Sequence, residues 1–223
     1  WWSISGIFSM SRVPQWIVPT KAEFTFNTSR LWGKGVLPLE TYQLDYRKLQ
    51  DVYPDLKKVD WVRFADIPAY RIIEGENERY IDASGTEVVA LNVPQKTIEE
   101  GFRKIHGNDS KMTVTVLEKY DNYYLNLRRT LELPVYRVEF DDDDHNLYYV
   151  NPRDGYIRYL NKNKIVDKWL FSAIHYLNMG WLVNRPWLWT FCLWFLCIGC
   201  GIVCFTGVVL GVKTWLIRKK KKS

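Results

Sequence analysis

The sequence predicts an α+β fold in which two helix-plus-antiparallel-sheet repeats form an extracytoplasmic domain flanked by transmembrane α-helices. Three observations carry that expectation. A run of 26 residues without charge, Trp187 to Val212, lies near the C-terminus. Before it, a helical pattern followed by strand-like alternation occurs twice. The two copies also align residue by residue, which marks an internal repeat.

The chain opens on WWSISGIFSMS, 11 residues without charge before Arg12. That is too short to cross a bilayer. Residues 1–18 are therefore expected to be the end of a truncated first membrane helix and its exit segment, broken by Pro14 and Pro19. Residues 19–95 read as the first repeat. Leu39 to Val52 is polar with spaced apolar residues and stops before Pro54, as a short helix does. VDWVRFA, AYRIIEG, RYID and ASGTEVVAL then follow as four strands.

Residues 96–163 read as the second repeat, with a helix over Thr97 to His106 and strands in MTVTVLE, YYLNLR and LPVYRVEF. Pro68, Tyr70 and Arg71 fall on Pro134, Tyr136 and Arg137 at an offset of 66, and Gly85 falls on Gly155 at an offset of 70. The difference is a longer acidic loop in the second copy, DDDDH at Asp141 to His145. Alone, it looks like a divalent metal site. Its counterpart, EGENE at Glu74 to Glu78, has a glycine and no histidine. Metal ligands converge from separated positions, whereas aspartates tolerate turn geometry and stay hydrated, so the loop is expected to be a hairpin tip. The repeated Tyr-Arg pairs read as sheet packing, with arginine on the wet face.

Residues 164–184 read as an interfacial amphipathic helix with Trp169, Leu170 and Ala173 on its apolar side and Lys168 and His175 opposite. Residues 185–217 read as a transmembrane helix and 218–223 as a basic tail. At 1.5 Å per residue the uncharged run gives about 39 Å of helix, against a hydrocarbon core of about 30 Å. Trp181, Trp187 and Trp189 form one aromatic belt and Trp215 marks the other.

The net charge is +6, and Lys213, Arg218 and Lys219 to Lys222 are six positive charges, so 31 minus 6 leaves 25 basic residues against 25 acidic ones. The excess sits entirely in the tail. This is the positive-inside pattern, which places the tail in the cytoplasm and both repeats outside. It also removes the nucleic-acid reading that a basic chain invites. Membrane lipid is the expected partner of the tail and span.

All four cysteines, Cys192, Cys197, Cys200 and Cys204, lie in the span and read as packing residues. Gly207 and Gly211 make a GxxxG spacing suited to helix contact and oligomers. No spacing supports a Ser-His-Asp or Cys-His constellation, and no glycine-rich phosphate loop occurs. His106, just before Gly107, is expected to cap a helix C-terminus as a cation. No catalytic residue, metal ligand or cofactor is assigned from the residues themselves.

A helix, strands bearing YRV, a tyrosine-rich strand and an Asp or Asn before a glycine turn together resemble the PepSY domain, here in two copies. DNYYLN, LPVYRVEF, LYYVNPRDGYI, then KWLFSAIHYLNMGWLVNRPWLW and FTGVVLGVKTW extend that resemblance to the bacterial PepSY-associated membrane proteins. The resemblance implies a bacterial inner-membrane protein whose periplasmic domain binds or regulates a peptidase or other envelope protein or peptide. Larger relatives look like haem-bearing reductases in iron uptake. That alternative implies haem as cofactor and His175, before the last membrane helix, as an axial ligand.

Overall fold

The structure, a computed structural model, describes residues 13–21, 25–125, 131–173 and 177–220. Helix α1 (Ser29–Trp32) and helix α2 (Lys48–Val52) precede a first sheet of four strands. These are β1 (Leu56–Phe64), β2 (Ile67–Glu74), β3 (Asn77–Asp82) and β4 (Val89–Ala90), antiparallel and in sequence order. Helix α3 (Gln95–His106) leads to a second sheet of the same order, β5 (Met112–Leu117), β6 (Val135–Phe140), β7 (Leu147–Val150) and β8 (Ile157–Leu160). Phe64 pairs with Ile67 and Glu74 with Asn77, so two-residue turns close both hairpins of β2. Such turns call for positive φ, which Ala65 and Gly75 supply at 56° and 62°.

Alternation along the strands builds three apolar layers. The central one joins Phe64 and Ala69 of the first sheet, Ile98 and Phe102 of α3, and Val138, Phe140, Tyr148 and Val150 of the second sheet. Leu44 and Leu49 cover the outer face of the first sheet at Tyr70, Ile72 and Ile81. Tyr124 covers the outer face of the second at Val135, Leu147 and Tyr149. Each sheet is therefore buried on both faces. At Gly101, α1 comes so close that a Cβ there would lie 2.5 Å from Leu31.

Three expected elements differ. Leu39 to Val52 is not one helix: a 3-10 turn at Leu39–Thr41 is separated from α2, because the N–H groups of Gln43 and Leu44 both bond the carbonyl of Ala83. The first residues of YYLNLR form no strand. Asp121 accepts the N–H groups of Tyr123 and Tyr124 at 2.8 and 2.6 Å, turning the chain so that Tyr124 is buried. In place of one amphipathic helix over 164–184 there are α4 (Lys162–Asp167), a π-helical turn at Lys168–Ala173 and α5 (Gly180–Val183). Its expected faces are also reversed at two positions, for Lys168 is buried and Trp169 exposed.

Helix α6 (Pro186–Lys220) starts at a proline, whose missing N–H costs nothing in the first turn. Pro186–Trp215 is long and apolar enough to cross a membrane, with a mean hydropathy of 2.5 and none of its most apolar window buried. A helix packed against a soluble core would bury an apolar stripe. Of residues 1–18, expected to be the end of a first membrane helix and its exit segment, 1–12 lie outside the described residues and 13–18 form a turn.

Candidate functional site

A cavity of about 210 Å³ opens where α1, the end of α3 and the second sheet meet. Phe26 and Ile105 supply its apolar wall, Tyr148 and Tyr159 its hydroxyls, and Lys21 and Arg30 its cations, with His106, Asp144 and Asn146 completing it. Helix α3 fixes His106 in its last turn. The ring stacks on Phe140 with centroids 4.1 Å apart, and Nε2 lies 3.0 Å from the Tyr148 hydroxyl.

Burial holds the His106 pKa below the ordinary value; Arg30 adds to the depression and Asp142 opposes it. The ring is thus neutral near pH 7 and does not act as the cationic helix cap expected from sequence. The helix end is closed instead by Gly107, whose φ is +91° and whose N–H bonds the carbonyl of Arg103, and by the Ser110 hydroxyl, which donates to the carbonyl of His106 at 2.6 Å.

The acidic loop forms one rim of the cavity and is a hairpin tip, between β6 and β7. Asp142 accepts the N–H of Asn146 at 3.0 Å and its amide at 2.5 Å, and Asn146 in turn accepts the Tyr159 hydroxyl at 2.7 Å. Asp144 is buried; its two oxygens accept the backbone N–H of Lys21 at 3.2 and 3.0 Å, and Lys162 Nζ is 3.4 Å away. His145 is exposed, with φ +48°. Among the described residues no three His, Cys, Asp or Glu side chains group as metal ligands would. Asp142 and Asp144 thus hold backbone and amide hydrogens, while the exposed Asp141 and Asp143 lie 3.9 and 3.8 Å from the ammonium groups of Lys111 and Lys21.

The repeated Tyr-Arg residues lie away from this cavity. Tyr70 faces α2, and its buried hydroxyl donates to the carbonyl of Leu44 at 2.8 Å. Burial raises its pKa, with Tyr42 adding to the effect. Tyr136 faces the layer that contains α3. Each tyrosine therefore points at the helix preceding its own sheet, and each arginine points away. Arg71 is half-buried and pairs with Glu78 at 2.9 Å and Asp60 at 3.9 Å, so it sits in an ion network and not on a fully wet face. Arg137 is half-buried and pairs with Glu139 at 2.7 Å.

The two repeated glycines also differ. Gly155, φ +68°, touches Phe64 and Trp32, whereas a Cβ at Gly85 would meet nothing within 4 Å. Gly207 and Gly211 face open space on α6. His175, the haem candidate, lies outside the described residues.

The sequence did not single out Lys21, Phe26, Arg30 or Tyr148 as site residues. Tyr148 and Tyr159 carried a signal, since they alternate on tyrosine-rich strands, but Lys21 and Phe26 come from a linker with no pattern. The arrangement can hold a small apolar body carrying an anionic group against Lys21 and Arg30. No protein-family model matches this sequence, no curated protein matches it, and no solved structure matches it.

Proposed function

We propose that this chain is a membrane-anchored extracytoplasmic binding and regulatory module of PepSY type, which modulates a peptidase or another envelope protein. Its partner places a carboxylate-bearing segment in the cavity between α1, α3 and β7. One observation carries the reading: a folded domain with a cation-rimmed aromatic cavity is joined to a helix whose apolar window is wholly unburied. Support for the PepSY type comes from two sheets of identical strand order, each with a Tyr-Arg pair on its second strand. The basic tail supports a cytoplasmic C-terminus and a periplasmic domain in the bacterial inner membrane.

The test uses the full chain in lipid nanodiscs with peptides of identical sequence, ending in a free carboxylate or in an amide. Calorimetry is expected to show tighter binding of the free carboxylate, weakened about tenfold by Arg30→Ala, as loss of one charge-assisted contact implies. Equal affinity of the acid and amide peptides, or no effect of Arg30→Ala, would remove this reading.

A further inference from the structure

Three of the four sheet edges are blunted. The outermost strand β1 carries Lys57, Lys58, Asp60 and Arg63, and its Val62 carbonyl accepts the Tyr42 hydroxyl at 2.8 Å. Strand β4 is two residues long. At β8 the Tyr159 carbonyl accepts Lys164 Nζ at 3.2 Å. Charges, short strands and covering groups are the usual protections against edge pairing.

Strand β5, MTVTVL, has none of them. It carries no charge or proline, and its pairing with β6 runs without a bulge from Met112 opposite Phe140 to Leu117 opposite Val135. The N–H of Asp141 bonds the carbonyl of Lys111 directly across the same ladder at 3.1 Å. Alternation then makes the odd-numbered residues bond β6, while Met112, Val114 and Val116 turn their N–H and C=O groups outward. Among the described residues, no hydrogen bond from those groups reaches another segment. Val116 is 53% exposed beside them.

We propose that a second copy of this chain covers this edge, by antiparallel β5–β5 pairing about a two-fold axis at Val114. This register opposes Val114 to itself, Met112 to Val116 and Thr113 to Thr115, giving β-branched cross-strand pairs on both faces. Side-chain matching selects it. One step away, with the axis at Thr115, Met112 would oppose Glu118 and Thr113 would oppose Leu117 of the second copy, apolar against polar. Matched cross-strand pairs support a ladder. Anchoring of both copies in one bilayer raises their effective concentration. The pairing extends the second sheet to eight strands and leaves the cavity open, so it stands apart from the binding reading.

Site-specific cross-linking tests this in liposomes, on the full chain with its four native cysteines changed to alanine. Val114→Cys brings two Cα atoms about 5.5 Å apart across the axis, within disulfide reach. Val116→Cys leaves its own counterparts four residues out of step, about 13 Å along the strand, beyond reach. The expected result is a covalent dimer forming at least tenfold faster for Val114→Cys than for Val116→Cys, with a mixed cross-link between Met112→Cys and Val116→Cys chains. Light scattering in detergent is expected to show a dimer for the native chain and a folded monomer for Val116→Lys. No dimer at Val114→Cys, equal rates at both positions, or capture of a different protein at Val114 would each overturn the proposal.

Discussion

The indole N–H of Trp32 donates to the carbonyl of Gly155 at 2.8 Å, and the Phe64 ring packs on the same glycine. This contact ties α1 and the first sheet to the glycine turn of the second. Gly155 holds φ at +68°, and an added Cβ would collide with Phe64. Both penalties act together at Gly155→Ala, which is expected to cost about 3 kcal/mol. Gly85→Ala, at the matched position, is expected to change stability by less than about 0.5 kcal/mol. Urea unfolding of the two variants in detergent checks the contrast.

Lys168 is buried, its ammonium has no hydrogen-bond partner among the described residues, and it sits 5.0 Å from the Tyr123 ring and 5.4 Å from that of Trp169. Burial, with Arg158 adding, lowers its pKa to about 8, against the pull of Asp121. The unfolded chain keeps its proton to about 10.4, so between pH 8 and that value the unfolded state binds more protons and stability rises with pH. Relative to Lys168→Met, the native chain is expected to gain about 1.5 kcal/mol between pH 8 and 9.5. At pH 7 the methionine variant is expected to be the more stable. Denaturation at a series of pH values reads both.

His106 responds to acid with the same sign, in a lower pH window. Its folded pKa is depressed by burial, so below the unfolded value of about 6.5 the unfolded chain takes up a proton that the folded one resists. Stability is full above that pH and falls as pH drops toward the folded pKa. His106→Phe keeps a ring against Phe140 and is expected to flatten this acid limb. Imidazole titration by NMR checks the depressed pKa directly.

The acidic loop predicts unequal effects along DDDDH. Asp144→Ala removes a buried carboxylate that accepts the part-buried backbone N–H of Lys21 and is expected to cost about 2 kcal/mol. Asp141 makes one ion pair with Lys111 at 3.9 Å, both side chains largely exposed. Its alanine variant is expected to stay within about 0.5 kcal/mol of the native chain. Thermal unfolding of both variants, with and without added calcium, checks that the difference is structural.

Much of this was legible in sequence because it follows from local rules. The uncharged run predicts a membrane-length helix by composition alone, and α6 contains all of it, starting one residue earlier at Pro186 and continuing to Lys220. Tyr70 and Tyr136, matched by spacing, lie on second strands and face preceding helices because period-two alternation sets their side. The failures occur where a hydrogen bond outside the helix or strand pattern intervenes. Ala83 splits the helix expected over Leu39 to Val52, and Asp121 bends the strand expected at Tyr123. Ala83 lies far along the chain from Gln43 and Leu44, whereas Asp121 is only two residues from Tyr123 and wins because its turn lets Tyr124 pack against Tyr149.

The sequence by itself therefore determined the class of fold, the number and order of most strands, the membrane-length span and the turn nature of the acidic loop, all properties of short-range periodicity and charge. Tertiary structure decided which loop aspartate is buried, that His106 is neutral against Phe140, that Lys168 turns inward, and that β5 is a bare edge. Each of these depends on which surfaces meet. Burial and backbone satisfaction are set by neighbours far away in the chain, so the same aspartate, histidine or strand residue acquires its chemistry only after the layers have packed.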